Sequence, residues 1–219
     1  MFLSYLVTCH NETRSLSDLL SKLYSSLKPN HEIVIVDDYS DSPETLKILD
    51  EYQGLERVNI QKHRLDNNYS AQKNFGIDQC KGDWIFQLDS DELPTDILLN
   101  NIDLILENNS QFELLWLPRC NYFSGVTQKD IDDWGWRMTE GMVSFPDYQS
   151  RLFRNKPHIR FRRRVHERVE GHTLYASFPP QKDVAIIHTK TIEKQRESNQ
   201  NYMKNFTLDE NRGIPIDQI

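Results

Sequence analysis

Cysteine is scarce in this sequence. Its 219 residues include three cysteines, Cys9, Cys80 and Cys120, which are far apart and lack the spacing of metal ligands. An odd number of widely separated cysteines is typical of free thiols in a reducing compartment. The sequence therefore argues against a disulfide framework and against a zinc site built on cysteine pairs.

Long hydrophobic runs and an excess of positive charge are also lacking. No stretch approaches the ~20 apolar residues that a membrane-spanning helix needs. The first residues, MFLSYLV, have no basic flank and predict a β-strand rather than a signal peptide. The net charge of -7 argues against general binding to nucleic acids. We therefore expect a cytoplasmic protein, with peripheral association at the inner face of the membrane as the alternative.

Strands and helices alternate along the first half of the chain. Apolar, often β-branched runs predict strands at 2–8, 32–36, 58–62, 84–88 and 114–117. Helical spacing predicts helices at 16–27, 43–53, 70–80 and 95–107. This alternation indicates an α/β fold with a mostly parallel sheet and helices on both faces. Residues 118–149 are predicted to be rich in loops, followed by a strand at 184–187 and a terminal helix at 191–206.

Acidic side chains follow two of the predicted strands. Asp37 and Asp38 end the second strand, and Asp89 and Asp91 follow the fourth, in the segment GDWIFQLDSDELP. Ligands of open α/β sheets bind beyond the carboxyl ends of the strands. No glycine-rich phosphate loop is present, so a nucleotide held there would need a divalent cation between its phosphates and the carboxylates. The alternatives are a solvated acidic turn and, for residues 37–40, a helix N-cap.

Four segments of the sequence carry a resemblance to a known family. They are VTCHNE, EIVIVDDYSDS, NNYSAQKNFGIDQCKGDWIFQLDSDE and DYQSRLFRNKPHIRFRRRVHERV. In order and spacing they resemble glycosyltransferase family 2, and look closest to small bacterial transferases that extend lipopolysaccharide cores. The resemblance extends to about residue 205. One departure is Lys73, where the family more often has arginine; lysine keeps the charge but loses the bidentate geometry.

The resemblance implies a GT-A fold, in which a mostly parallel central sheet is flanked by helices and carries a small acceptor-side extension. It implies one domain for residues 1–219. Residues 1–117 would form the nucleotide-sugar-binding half, and residues 118–190 the half that completes the metal site and faces the acceptor. Residues 191–219 would be a C-terminal helix and tail.

The resemblance also implies a donor site. Residues of the first two segments would line the nucleoside pocket, namely Thr8, His10, Asn11, Glu12, Asp37 and Asp38. Glu12 would accept a hydrogen bond from a ribose hydroxyl, and one of the two aspartates would accept from the base, which suggests uracil. The third segment would supply the residues near the diphosphate and sugar, namely Lys73, Asn74, Asp89 and Ser90. Of these, Lys73 would lie near the diphosphate and Asp89 would face the ribose or the donor sugar.

A metal site is implied in the same way. Asp91 would bind Mn²⁺ or Mg²⁺, with Asp89 as a further candidate ligand. The family often supplies a histidine to the metal later in the chain. His188, at the end of the predicted strand in AIIHTK, fits best, and His166 in VHE is the alternative.

The resemblance implies a single inverting displacement, which needs a carboxylate that deprotonates the acceptor hydroxyl. Asp147, in FPDYQSRLFR, is at the place where such enzymes usually carry this base. Asp132, Asp133 and Glu140 are competing candidates. The alternative for Asp147 is a turn residue after Pro146.

Residues 151–169 contain eight basic residues and one acid, Glu167. A strand there would place Arg160, Arg162 and Arg164 on one face. That face would either be solvated at a sheet edge or contact the donor diphosphate or an anionic acceptor.

The predicted function is metal-dependent, inverting transfer of a sugar from a UDP-sugar, such as UDP-glucose or UDP-galactose, to a hydroxyl of a saccharide or glycolipid. A nucleotidyltransferase is the first rival, although TCHNETRS lacks the basic, glycine-rich loop expected after its first strand. A non-catalytic module that binds nucleotide sugars is the second rival.

Overall fold

The computed structural model describes residues 1–211. Its strands are β1 Leu3–Cys9, β2 His31–Asp37, β3 Val58–Lys62, β4 Trp84–Asp89, β5 Glu92–Pro94, β6 Leu114–Ser124, β7 Met138–Thr139, β8 Met142–Arg154, β9 Arg160–Arg162, β10 Arg168–Glu170, β11 Tyr175–Ser177 and β12 Ile186–Thr191. Its α-helices are α1 Arg14–Ser25, α2 Pro43–Tyr52, α3 Tyr69–Gln79, α4 Asp96–Asn100, α5 Ile102–Asn108, α6 Gln128–Trp134, α7 Ile192–Asn205 and α8 Leu208–Asn211. A 3₁₀ helix covers Lys182–Val184.

One sheet organises these elements, in the strand order β3-β2-β1-β4-β8-β6-β12-β5. The strands of the first half pair in parallel, as predicted: β1 with β2 and β4, and β2 with β3. β8 then pairs antiparallel with both β4 and β6, and β12 pairs parallel with β6. Most strands of the second half therefore extend the same sheet, whereas β9 and β10 form a separate two-stranded antiparallel sheet.

Alternate residues of the central strands face two separate hydrophobic clusters. Tyr5 and Ile33 pack with the leucines of α1 on one face, whereas Leu6 and Val34 pack with Ile77 of α3 on the other. This alternation follows from the two-residue period of a strand, so each face of the sheet is covered by helices as predicted.

Helix α3 lies unusually close to the sheet at Gly76. A Cβ atom there would be 2.5 Å from Leu6 Cδ1 and 2.9 Å from Val36 Cγ2, so only glycine allows this approach. Lys73 is one turn earlier on the same helix and is 2% exposed. The close packing of α3 therefore brings a buried lysine to the carboxyl end of the sheet.

Three predictions of secondary structure are corrected. The helix predicted at 95–107 is two helices, because the chain bends at Asn101, whose side chain donates to Ile97 O. Residues 118–149, predicted to be rich in loops, contain the second half of β6, α6, β7 and the first part of β8. β9 ends at Arg162, because Arg163 has a left-handed backbone with φ of 75°. Arg164 therefore does not continue the strand.

The C-terminal prediction is tested only in part. α7 occupies Ile192–Asn205, as the helix prediction required, and residues 212–219 of the predicted tail lie outside the described residues. Within residues 1–211, none of the helices is both long enough and apolar enough to cross a membrane.

Candidate active site

The carboxyl ends of three neighbouring strands form the floor of the candidate active site. The register pairs Thr8 of β1 with Asp89 of β4, and Cys9 of β1 with Asp37 of β2. Thr8 Oγ1 donates a hydrogen bond of 3.2 Å to Asp89 Oδ1. The parallel order of the strands thus brings the two predicted acidic groups to one edge of the sheet.

The loops after β1 and β2 hold each other in place through Asn11. Its backbone is left-handed, with φ of 52°, and its Oδ1 accepts from the backbone N–H groups of Asp41 and Ser42, each at 2.9 Å. His10 Nδ1 lies 2.8 Å from the carbonyl oxygen of Asp38. The polar groups of His10 and Asn11 therefore form hydrogen bonds between the two loops that border the predicted nucleoside pocket.

The carboxylates of this region have different surroundings. Glu12 binds Lys194 Nζ at 3.0 and 3.1 Å, and Asp38 Oδ1 accepts from Leu65 N at 2.8 Å. Asp37 is fully buried, and its Oδ1 accepts from the backbone of Ser40. Its Oδ2 is buried and has no hydrogen-bond partner among residues 1–211. α2 is capped by Ser42, so the N-cap interpretation of residues 37–40 does not hold.

Asp89 is held between two cations. Its Oδ1 lies 2.9 Å from Lys73 Nζ, and its Oδ2 lies 2.5 Å from Arg151 Nη2. Burial alone would raise the pKa of this carboxyl, but the charges of Arg151 and Lys73 outweigh burial and hold the pKa well below its usual range. Lys73 Nζ also binds Glu167 at 2.6 Å. Asp89 and Lys73 are therefore paired with each other and with further charged side chains inside the protein.

Glu92 is the centre of a buried network that the sequence did not predict. The residue is 1% exposed, and its Oε1 accepts from Arg119 and Arg151, each at 2.7 Å. Its Oε2 accepts from the backbone N–H of Asp89 at 3.1 Å. Arg151 donates a further hydrogen bond to Gln87. Glu92 thus connects the arginine that binds Asp89 to a second arginine, Arg119.

Arg119 in turn binds Asp147, the predicted base. Asp147 Oδ2 accepts from Arg119 Nε and Nη2 at 2.9 and 2.6 Å and from Asn121 Nδ2 at 2.9 Å, and its Oδ1 accepts from Gln149 at 2.8 Å. Burial alone would raise the pKa of Asp147, but Arg119 and Asn121 lower it below its usual value. Asp147 lies within β8, opposite Arg119 of β6, so the interpretation as a turn residue after Pro146 is wrong.

Asp91 and His188 come together as the predicted metal ligands would. His188 Nε2 lies 3.3 Å from Asp91 Oδ2, and His188 Nδ1 lies 2.8 Å from Asn121 Oδ1. The amide nitrogen of Asn121 faces two oxygen acceptors, Asp147 Oδ2 and Val143 O, so its oxygen must face the imidazole. Nδ1 therefore donates its proton to Asn121 Oδ1, and Nε2 is the ring nitrogen that faces the Asp91 carboxylate.

The residues present fit a divalent cation at this pair. One carboxylate and one imidazole are suitable ligands for Mn²⁺, and a second hydrogen bond that orients the imidazole is typical of metal-binding histidines. In the described part of the chain, no group of three or more His, Cys, Asp or Glu side chains has the geometry of a metal site. His188 is the third residue of β12, rather than at a strand end as predicted.

Other predicted residues lie elsewhere. His166 lines the same cavity as Asp147, away from Asp91, with its ring against Tyr202 at a centroid distance of 5.5 Å. Asn74 uses its amide to bind the backbone N and O of Phe161, each at 2.9 Å, and so fastens β9 to α3. Ser90 is buried beside Asp91 in the chain.

The competing acids for the base role are paired on the surface. Asp132 accepts from Gln128 and Asp133 binds Lys129, both pairs within α6. Glu140 binds Lys182.

Two cavities flank the polar network. The Asp147 cavity has a volume of about 540 Å³ and is lined by residues including Arg119, Asp147 and the aromatic side chains of Trp116, Tyr148 and Tyr175. The Asp91 cavity has a volume of about 590 Å³ and is lined by residues including Asp91, Tyr122, Lys190 and Lys194. The predicted base and the predicted metal ligand Asp91 therefore line different cavities.

Comparison with known proteins identifies the sequence relatives of this chain. The family model for "Glycosyl transferase family 2" matches residues 4–170. The poly(ribitol-phosphate) β-N-acetylglucosaminyltransferase TarP of Staphylococcus aureus is 34% identical over 99 residues, which are 44% of this chain and 29% of TarP. An uncharacterized glycosyltransferase of Haemophilus influenzae is 25% identical over 131 residues, which are 58% of this chain and 43% of the relative. The match thus spans less than half the length of either relative.

The fold is shared with solved structures of S. aureus TarS. A TarS fragment in complex with UDP-GlcNAc superposes with a TM-score of 0.62 and 18% identity over 87% of this chain and 59% of the fragment. Another TarS structure superposes with a TM-score of 0.60 and 14% identity over 86% of this chain and 37% of that chain. These similarities confirm the GT-A fold predicted from the sequence.

Proposed function

The chain belongs to glycosyl transferase family 2, and from this membership and the geometry of the site we propose that it transfers a sugar, with inversion, from a UDP-sugar to a hydroxyl of a saccharide or glycolipid. The observation that carries the proposal is the position of Asn121. This one side chain hydrogen-bonds both Asp147 and His188, so a proton acceptor and a candidate metal ligand are held on one scaffold.

Asp91 and His188 would hold the divalent cation, Mn²⁺ or Mg²⁺. When bound, the ion would neutralise charge on the diphosphate of the donor. The contact between Asp91 and His188 lowers the pKa of the Asp91 carboxyl although burial raises it, so the carboxylate is in the form that a cation requires. Asn121 keeps the imidazole of His188 in the tautomer that can coordinate through Nε2.

Asp147 is the proposed base. Its carboxylate removes the proton of the acceptor hydroxyl as that oxygen forms a bond to the anomeric carbon. The bond between this carbon and the β-phosphate oxygen breaks at the same time, and UDP leaves with the electron pair. Because Arg119 and Asn121 already bind Oδ2, the oxygen that meets the acceptor is Oδ1, which has a hydrogen bond only from Gln149 among residues 1–211.

The relatives support the choice of donor. A TarS fragment was crystallised with UDP-GlcNAc, and the name of TarP describes a β-N-acetylglucosaminyltransferase. A β linkage made from an α-linked UDP-sugar requires inversion, which agrees with a single displacement by an acceptor activated by Asp147. UDP-GlcNAc therefore joins UDP-glucose and UDP-galactose among the donors to be tested.

The experiment is UDP release from each of these three donors, with and without a panel of saccharide and glycolipid acceptors, in Mn²⁺ and then in EDTA. Release that requires both acceptor and metal is the expected result. Release of pyrophosphate from a sugar phosphate and UTP would instead indicate a nucleotidyltransferase. Binding of UDP-sugars without turnover on any acceptor would indicate a binding module.

A further inference from the structure

The Asp91 cavity has a cationic wall that the proposed reaction has not yet used. Lys190 of β12 and Lys194 of α7 line this cavity together with Asp91. His188 and Lys190 are two residues apart on one strand, so their side chains leave the same face of β12. The lysine is therefore placed directly beside the candidate metal pair.

Lys190 is half-buried, and in the described part of the chain its ammonium is not paired with a carboxylate. Its Nζ donates to Ser198 Oγ at 2.9 Å, and among residues 1–211 no carboxylate lies within ion-pair distance of it. An ammonium has three N–H donors, and one neutral hydroxyl leaves two of them directed to other partners. A lysine at a cavity wall whose charge is not compensated by a carboxylate is suited to bind an anionic ligand.

Lys194 extends this wall toward the predicted nucleoside pocket. Its Nζ binds both carboxylate oxygens of Glu12, in the loop after β1, at 3.0 and 3.1 Å. Glu12 is the residue predicted to accept from ribose. A nucleotide whose phosphates lie near Lys190 and Lys194 would therefore have its ribose near Glu12.

Lys73, which the sequence predicted near the diphosphate, is less available for this role. It is 2% exposed and lies between two carboxylates, Asp89 and Glu167, at 2.9 and 2.6 Å. Its charge is already compensated inside the protein.

We propose that Lys190, with Lys194 beside it, binds the diphosphate of the donor nucleotide in the Asp91 cavity. This assignment rests on the proposed function. The charges agree with it: the two lysines offset Asp91 and Glu12, and a divalent cation would leave the cavity with a charge opposite to that of a sugar-nucleotide diphosphate. A cation beside the leaving phosphate also stabilises the charge that develops as the sugar departs.

The test is calorimetric binding of UDP and of uridine, each in Mn²⁺, to the wild-type protein and to Lys190→Gln. Loss of a charge-assisted hydrogen bond should weaken UDP binding by about 10- to 100-fold. Uridine has no phosphate, so its affinity should stay within about twofold. Lys190→Arg, which keeps the charge, should retain most of the UDP affinity.

Two further variants calibrate the result. Lys194→Gln should weaken UDP binding by no more than about fivefold, because Lys194 is half exposed and its pair with Glu12 is screened by water. Lys129→Gln is the matched control, since Lys129 also pairs with an acid, Asp133, on an exposed helix. It should bind UDP as the wild type does.

The outcomes separate the two proposals. UDP affinity that is unchanged in Lys190→Gln, or that falls equally with uridine affinity, would overturn the diphosphate assignment alone. A wild-type protein that binds neither UDP nor a UDP-sugar would overturn the proposed function, and the assignment with it.

Discussion

Replacement of Glu92 by glutamine tests the buried charge network of the site. Glu92 Oε1 accepts from two arginines, Arg119 and Arg151, each at 2.7 Å, while Oε2 accepts from the backbone N–H of Asp89. A glutamine of the same shape has an acceptor at one end of its amide and a donor at the other. Whichever way it turns, its NH₂ group faces an N–H donor, and the two arginines lose a compensating charge.

The magnitude follows from the burial of the site. Glu92 is 1% exposed and Arg151 is 5% exposed, so water cannot reach the Arg151 guanidinium to compensate for the lost carboxylate. Removal of one partner from a buried ion pair costs about 3–5 kcal/mol of unfolding free energy. For a domain of this length, about 2–4 °C of melting temperature corresponds to each kcal/mol, so Glu92→Gln should melt about 6–20 °C below the wild type.

Urea unfolding and thermal melting measure this loss. Glu56→Gln is the control, because the Glu56 side chain is 86% exposed and its removal should change the unfolding free energy by less than about 0.5 kcal/mol. If Glu92→Gln unfolds at the same urea concentration and temperature as Glu56→Gln, the ion pairs of Glu92 with Arg119 and Arg151 do not stabilise the fold.

Three further predictions concern the carboxylates of the site. Asp147→Asn should bind UDP as the wild type does but transfer sugar roughly 10²–10⁴-fold more slowly in initial-rate assays, while Asp132→Asn stays active; the reverse result would place the base on α6. Asp91→Asn should lose the Mn²⁺-dependent part of UDP affinity in calorimetry, whereas Ser90→Ala should keep it; equal affinity with Mn²⁺ and with EDTA in the wild type would contradict this. Because the folded pKa of Asp89 is lowered, its stabilising effect is complete above the unfolded pKa of about 4 and is lost as pH falls toward the folded value. Melting temperature should therefore fall in acid, and less steeply in Asp89→Asn; parallel curves would contradict the argument.

The sequence was sufficient to predict residues that end buried strands. Thr8, Asp37 and Asp89 follow apolar, β-branched runs, and the parallel order of such strands brings their ends to one edge. Asp91 was predicted for the same reason. The pairing of Asp91 with His188 was predicted only through the family resemblance, because the two residues are 97 positions apart in the chain.

Polar residues in the middle of strands could not be predicted in this way. Arg119 and Asn121 lie in β6, and Arg151 lies in β8, where a two-residue hydrophobic period would require apolar side chains. Their charges and amides are satisfied by side chains of other strands, among them Asp89, Glu92 and Asp147. The pairing of β6 with β8 also contains register shifts, which interrupt the regular pairing of the two strands. Residues 118–149 were instead predicted to be rich in loops because they contain Gly125, Gly135, Gly141 and Pro146.

A single strand, β6, sets the positions of Asp147, His188 and Asp89. Arg119 and Asn121 are two residues apart on β6, so both side chains leave the same face, and both bind Asp147 Oδ2. From there Asn121 orients His188, while Arg119 reaches Asp89 through Glu92 and Arg151.

The residue between them, Cys120, leaves the other face of β6 and is fully buried with Met142 and Ala185. The apolar packing of Cys120 therefore holds the strand in place, and the polar residues on either side of it transmit that position to the proposed base and metal ligand. A bulkier residue at Cys120 would push β6 toward the site and displace Asp147 and His188 together, because both depend on Asn121.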